Sequence, residues 1–535
     1  RPLDWIKLTG YLSMGATSLA LVSGGVLTYQ ALFTRAIGNT WDLLHLGSTF
    51  GVVAAATPHL LGPIVRYLDA PRRGVMGQIV RAEKWFGWNA VFHALLGAAG
   101  VLLIAFAYSR APQHRALPAS YDLPYGTDST FAPSLAVTES GKPLQPGVLG
   151  GSASCGQSGC HKQIYEEWAP SAHRYAAMDP AFRGIQKRMA RLKSPPSTRY
   201  CGGCHDPVSL LSGSKSMLHE DMTNRTGYHE GISCMSCHAV EKVDVKGNAD
   251  YVIDPPRRYV GERDSGVVAR TVSNFLIRAY PDHHNESLDR TLYKTPEFCG
   301  SCHKQFIDEK VNDVGWVQLQ NQYDNWRKSR WNHPDEPKRT IQCRECHMPL
   351  VDSFDPASGD PSDYNRSPDD EKHRSHRFLA ANQFVPSMLD LPGAEEQVRL
   401  TEKWLRGELE IPEIDEKWTD GPVVPLEIIA PDSASPGSEV EVTVRLTNNK
   451  AGHNFPTGPL DLIQAWVRIT AVSPAGDTLF TSGRLTERHF IEPGSFVFKA
   501  EPVDRFGNLV DFHNLWEMVG SNFSRALYPG FSDRA

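Results

Sequence analysis

Three long apolar runs open the chain and alternating patterns close it. Residues 10–33 include no charge, and at ~1.5 Å rise per residue a helix of that length crosses a ~30 Å hydrocarbon core. Residues 43–65 and 88–108 are two more runs of the same kind. Neither a small-residue cleavage site nor a short signal-peptide core accompanies them, so three retained spans are expected. Arg66, Arg72, Arg73, Arg81 and Lys84 lie between the second and third runs. By the positive-inside rule that loop is cytoplasmic, and everything after Arg110 emerges on the other side. Residues 111–154 are rich in Pro, Ser and Gly and read as a linker. Residues 155–394 contain only short helical pieces, and 395–409 have the spacing of an amphipathic helix within a connection over 395–420. From 421 to 535 the segments PLEIIA, EVEVTVRLTN and LIQAWVRITAV alternate between turn residues, which predicts an antiparallel β-sandwich of immunoglobulin-like kind. The expected fold is mixed: a three-helix transmembrane domain (1–110), a mainly α and irregular middle domain and a C-terminal β domain.

The length of 535 residues agrees with two or three domains. Net charge is −6 with no basic stripe, which argues against nucleic acid as a partner. The cysteines change the picture most. All ten fall between residues 155 and 346, as Cys155-GQSG-Cys160-His161, Cys201-GG-Cys204-His205, Cys234-MS-Cys237-His238, Cys299-GS-Cys302-His303 and Cys343-RE-Cys346-His347. Two thiols that add to the vinyl groups of a haem, with the next His ligating its iron, require this layout. A zinc knuckle or a dithiol would explain one such pair, but here a His follows the second Cys five times and no Cys is left over. Five covalent haems c are expected, the first motif departing from the others in its longer spacing. Haem attachment takes place on the oxidising side of the bacterial membrane, so the middle and β domains belong on the periplasmic side of an inner membrane.

Histidines inside membrane spans are costly and mark function. His45 and His59 lie 14 residues apart on the second run, and His93 lies early in the third. His59 and His93 come out at similar depth, as two ligands of one b-type haem require; polar packing between helices or hydrogen bonding to quinone remain as alternatives. A helix with two histidines so spaced resembles that of the membrane cytochromes b. With three spans, any second b haem would need a ligand from another subunit.

Each attached haem needs a second axial ligand, and eleven histidines beyond the linker compete: His173, His219, His229, His283, His284, His333, His373, His376, His453, His489 and His513. EEWAPSAHRY, YHEGISCMSCH, PDHHNESLDRTLYKTPEFCGSCH, CRECHMP with HRSHRF, and GHNFPTG resemble the multihaem c-type cytochromes, nearest to the tetrahaem cytochromes of the nitrogen cycle. That resemblance, over residues 150 to 475, implies paired bis-His haems with His173, His229, His284, His376 and His453 as distal ligands, and His283 and His333 as rivals. It does not assign partners, and it does not predict the membrane runs.

Three functions follow as expectations. The first is a membrane-anchored five-haem electron carrier between the quinone pool or other membrane redox subunits and a periplasmic or extracellular acceptor. The second is a haem enzyme acting on a small nitrogen or sulfur oxyanion, which needs an open iron site with acid and base groups beside it. The third is a structural haem subunit of a respiratory or photosynthetic complex. The ordinary form of the motifs favours the first. An acidic stretch after the fifth motif, from Asp352 to Glu371, reads as a solvated loop, with a docking patch as the alternative.

Overall fold

The computed structural model describes residues 5–33, 37–66, 74–110, 117, 121, 123, 130–157, 159–215, 217–218, 221–262, 266–380 and 382–535. The chain divides into two compact units. The first takes residues 1–113 together with 257–286. Its long helices are α1 (Trp5–Phe33), α2 (Asn39–Arg66) and α3 (Gly74–Arg110). Among the described residues, α1 over Lys7–Phe33 and α3 over Gly77–Phe106 are long and apolar enough to cross a membrane. The second expected span does form a helix, but Asp42, His45, His59 and several Ser and Thr residues dilute its apolar character. Large apolar side chains such as Leu95, Leu102, Leu103 and Ile104 point outward from α3, as lipid-facing surfaces do. The last carbonyls of α1 have no partner within the helix. Arg278, on the helix Val267–Ala279, donates to two of them, at 3.2 Å to Ala31 O and 3.1 Å to Leu32 O. That contact explains why residues far along the sequence join the first unit.

The second unit holds residues 114–256 and 287–535, so the cysteine motifs and the C-terminal strands belong to one body. Most of its helices are of four to seven residues; the longer ones are α4 (Pro180–Leu192), capped by Asp179, and α5 (Ala394–Arg406). Strands β1 (Val137–Thr138), β2 (Val240–Val243) and β3 (Tyr251–Ile253) form a small sheet in the order β1-β3-β2. Around it Val208, Leu210, Leu211, Ala239 and Ile253 build a core beside the second and third motifs. Toward the C-terminus β4 (Leu426–Ile429) pairs antiparallel with β5 (Thr443–Thr447), which also pairs with β6 (Ser532–Arg534). The predicted alternation therefore produces antiparallel strands, but in two- and three-stranded sheets and with no closed barrel. Segment LIQAWVRITAV divides at Val467, because that residue turns into the core formed with Val444, Leu446, Phe498 and Leu527.

Candidate metal centres

Four of the motifs begin their local geometry in a helical turn. Cys201 and Cys204 lie on the helix Arg199–His205, Cys234 and Cys237 on Cys234–His238, and Cys343 and Cys346 on Cys343–His347. Cysteines three apart on a helix face the same side, as attachment to one edge of a ring requires. Ser233 caps the third motif's helix, and Gln342 and Glu345 form a capping box on the fifth. In the fourth, Cys299 closes the helix Pro296–Gly300 and His303 N–H returns to Cys299 O at 2.9 Å. The first motif, with its longer spacing, instead folds back so that His161 N–H meets Cys155 O at 2.8 Å. The spacing differs, yet the His again arrives beside its cysteines. None of the ten cysteines is in a disulfide.

Three motif histidines face a second histidine. The ring centroids of His303 and His173 are 6.2 Å apart, those of His238 and His376 are 6.3 Å apart, and those of His347 and His453 are 6.1 Å apart. An imidazole nitrogen bonds a first-row metal ion at ~2.0–2.1 Å and lies about 1.1 Å ahead of its ring centroid, so two imidazoles across one ion stand about 6.2–6.4 Å apart. The separations of 6.2 and 6.3 Å fall within that range and the third, 6.1 Å, lies just below it, so each leaves about the room an iron between the rings needs. The His347 and His453 planes are within 9° of each other and those of His238 and His376 within 17°. Burial draws His173 down to about 3 and His303, His376 and His453 to about 4. Each therefore stays neutral with a lone pair to give, as metal binding demands.

The Nδ1 atoms show what aims these rings. His238 Nδ1 meets Leu288 O at 2.6 Å, His347 Nδ1 meets Leu379 O at 2.7 Å, and His376 Nδ1 meets Arg374 O at 2.8 Å. Each leaves Nε2 available. His161 differs, because its Nδ1 meets the Asp355 carboxylate at 2.7 Å. Burial opposes the charge on His161, but the hydrogen bond and charge of Asp355 outweigh it and raise the imidazole. A carboxylate behind a ligating His raises its basicity and favours the more highly charged metal. Asp355→Asn should raise the reduction potential of one haem, each tenfold change in relative affinity counting about 59 mV for one electron. A spectroelectrochemical titration checks this, and an unchanged set of potentials would contradict it.

The acidic stretch is only in part the solvated loop its composition suggested, since Asp352, Asp369 and Glu371 are exposed. Asp355, Asp360 and Asp363 are all buried. Asp360 accepts from Lys294, and Asp363 holds Arg344 through two 2.8 Å bonds and Arg374 through one of 3.2 Å. The chain folds Asp360 and Asp363 inward onto cations of the fourth and fifth motif regions, and Asp355 inward onto His161 of the first. Sequence reasoning missed Asp355 as a functional residue; only its position after the last motif could have hinted at it.

The remaining expected ligands are placed as follows. His229 is exposed on the helix Thr226–Glu230, against the Tyr228 ring. The neighbouring Glu230 accepts from the backbone N–H groups of Gly151 and Ser152, at the approach to Cys155. His284 lies on the helix Asp282–Leu288, in the part of the chain assigned to the first unit. Its rival His283 spends Nε2 on Arg257 O at 2.7 Å. His333 is half-buried with its backbone N–H on Thr340. His373 is fully buried between Ser353 and Glu167, a structural contact. His219 lies outside the described residues.

In the first unit the two α2 histidines face glycines of α1. A Cβ on Gly10 would stand 2.8 Å from His59 Cε1, and one on Gly24 would stand 3.0 Å from His45 Cε1. Gly is needed where a ring packs this closely on a helix. His45 Nδ1 also meets Ala20 O and Ser23 Oγ, each at 3.1 Å. His93 is exposed on α3, with Nδ1 on Asn89 O at 2.7 Å.

The thiols show how the motifs neighbour one another. Cys155 and Cys234, Cys204 and Cys302, and Cys299 and Cys343 are electrostatic neighbours. Cys237 lies within electrostatic reach of Cys302 and Cys299. The fourth motif thus neighbours the second, third and fifth, while the third neighbours the first. Residues 154–239 match the family of cytochrome c554 and c-prime. That stretch begins just before Cys155 and ends after His238, taking in three of the five motifs. The match supports a c-type cytochrome with covalently held haem c and a role in electron transfer. No curated protein and no solved structure matches the chain.

Proposed function

We propose that the protein is a membrane-anchored five-haem c-type cytochrome that moves electrons between the membrane quinone pool, or a membrane redox complex, and an acceptor on the periplasmic side. The observation that carries this reading is the set of three His–His pairs at 6.1–6.3 Å, each joining a motif His to a distant one. Haem held between two such imidazoles supplies one-electron redox chemistry, at a potential set by the ligands, their hydrogen bonds and burial. His173 and His303 hold the fourth haem, His376 and His238 the third, and His453 and His347 the fifth. His161 and His205 are the protein's own ligands for the first and second, and His229 and His284 remain the distal candidates from the sequence. The proximity of the thiols supports the fourth attachment site as the junction, with the third leading on to the first and with the second and fifth beside it.

Paired ligands suit electron transfer, because two imidazoles leave no position on the iron for a substrate. Arg183, Lys187 and Lys215 line a cavity of 330 Å³ with Phe182, Asp206 and Asp221 beside the second motif; Lys215 is already paired with Asp206 at 3.3 Å, which leaves Arg183 and Lys187 as the cations to receive a haem propionate. For the membrane part, two apolar helices supply the anchor, and His59 and His93 remain the proposed ligands of a b-type haem or contacts of a quinone. The test is to add a reduced quinone analogue to membranes holding the protein and follow c-haem reduction. Reduction should occur, and His59→Ala or His93→Ala should slow it at least tenfold while leaving the c-haem content unchanged. Equal rates in wild type and both variants would place electron entry elsewhere.

A further inference from the structure

After these pairings the place opposite His205 has only the sequence candidates His229 and His284. His205 belongs to the second motif, and its ring stacks at 4.5 Å and 16° on Phe182 of α4. A ring on that face lies beside the imidazole, not along the Nε2 direction where iron binds, so Phe182 does not occupy the opposite ligand position. Further along the same helix, Arg188 lies 4.3 Å over the ring of Phe512. Helix α4 therefore ties the second motif to residues at the C-terminal end of the β region. The residue after Phe512 is His513.

His513 has three properties of a metal ligand. Its Nδ1 meets the carboxylate of Asp461 at 2.9 and 3.1 Å, and both side chains are largely buried. This is the arrangement that fixes the tautomer of a ligating His and leaves Nε2 free. Its backbone has φ of 54°, in the left-handed region that few non-glycine residues adopt, His more often than most. Finally, His513 lies within electrostatic reach of the His205 imidazole, as Lys215 and His303 do. His303 itself is engaged with His173. Three residues on, Trp516 is buried with its indole N–H unpartnered, a donor suited to a propionate.

We propose that His513 is the sixth ligand of the haem attached at Cys201 and Cys204, opposite His205, with Asp461 holding it in the ligating tautomer. This rests on the five-haem reading above and extends it: the β region then contributes a ligand at two separate haems, His453 at the fifth and His513 at the second. Residues 421–535 become a two-point clamp on the haem array.

The test uses the full-length holoprotein, with the haem count of wild type and every variant measured first. A wild type with fewer than five haems is a failure of the parent reading and is distinguished at that step. With five haems present, His513→Ala should add one high-spin haem in the EPR spectrum and one carbon-monoxide-binding haem after reduction, and added imidazole should reverse both. His513→Met should keep that haem low-spin, introduce a sulfur-to-iron charge-transfer band and raise its potential. Asp461→Asn should leave it low-spin and also raise its potential. The proposal is overturned if His513→Ala adds no carbon-monoxide-binding haem. If that variant does not fold, the absence of both the new band in His513→Met and a potential change in Asp461→Asn overturns it equally.

Discussion

Replacing His453 by Ala should turn one haem high-spin and open it to carbon monoxide, with the other four unchanged. His453 lies in the turn Gly452-His453-Asn454-Phe455, whose shape is fixed from both sides. Asn448 Nδ2 donates to His453 O at 2.9 Å, and Phe455 exchanges backbone hydrogen bonds with Leu527 at 2.9 and 2.7 Å. A Cβ on Gly452 would stand 3.1 Å from Trp326, so the turn is pressed close to the residues before the fifth motif. Its ring then faces His347 at 6.1 Å, with the two ring planes within 9° of parallel. Were the β region an appendage, the substitution would act like other surface changes, within ~0.5 kcal/mol of neutral. As a ligand its loss removes an iron–nitrogen bond. A variant spectrum that stays wholly low-spin would return the region to a docking role.

The second large effect concerns stability. Arg344 stands between the two cysteines of the fifth motif, is nearly buried, and is held by both oxygens of Asp363. Arg374 joins the same carboxylate and makes two bonds of 2.8 and 2.9 Å to Glu413. Burial works against the charge on Arg374, but Glu413 and Asp363 overcome it and raise its pKa. Removing one member of a buried ion network strands the others without compensation, at about 3–5 kcal/mol. Asp363→Ala should therefore lower the thermal midpoint of the second unit markedly, followed by loss of haem-region dichroism on heating the holoprotein. Lys372→Ala should change it little, since the Lys372–Asp352 pair is at the surface. Equal midpoints for Asp363→Ala and wild type would show that the network is dispensable.

The cysteine motifs stand out in the sequence because attachment chemistry fixes residue type and spacing within a few positions, and the family match takes in the first three. Pairing was not, because His173 and His303, His238 and His376, and His347 and His453 are each more than a hundred residues apart. Only the folded chain brings them together. Composition misled for Asp355, Asp360 and Asp363, since a charged run says nothing about whether cations wait for it inside. Alternation correctly announced antiparallel strands after residue 421, yet short pairings such as Ala465–Trp466 with Val497–Phe498 depend on which residues turn to the core. The boundary of the first unit was hidden for a similar reason. A contact from Arg278 to the end of α1 leaves no mark in local sequence. His513 carried a weak signal, one histidine among many, until Asp461 was found behind it.

The central claim is that all five motifs carry covalent haem on one chain. Mass measurement of the denatured, intact protein tests it most directly, because thioether-bound haem survives unfolding while any b-type haem is lost. The account predicts the polypeptide plus five haems, with the first motif loaded despite its longer spacing. A mass corresponding to three or fewer would contradict it.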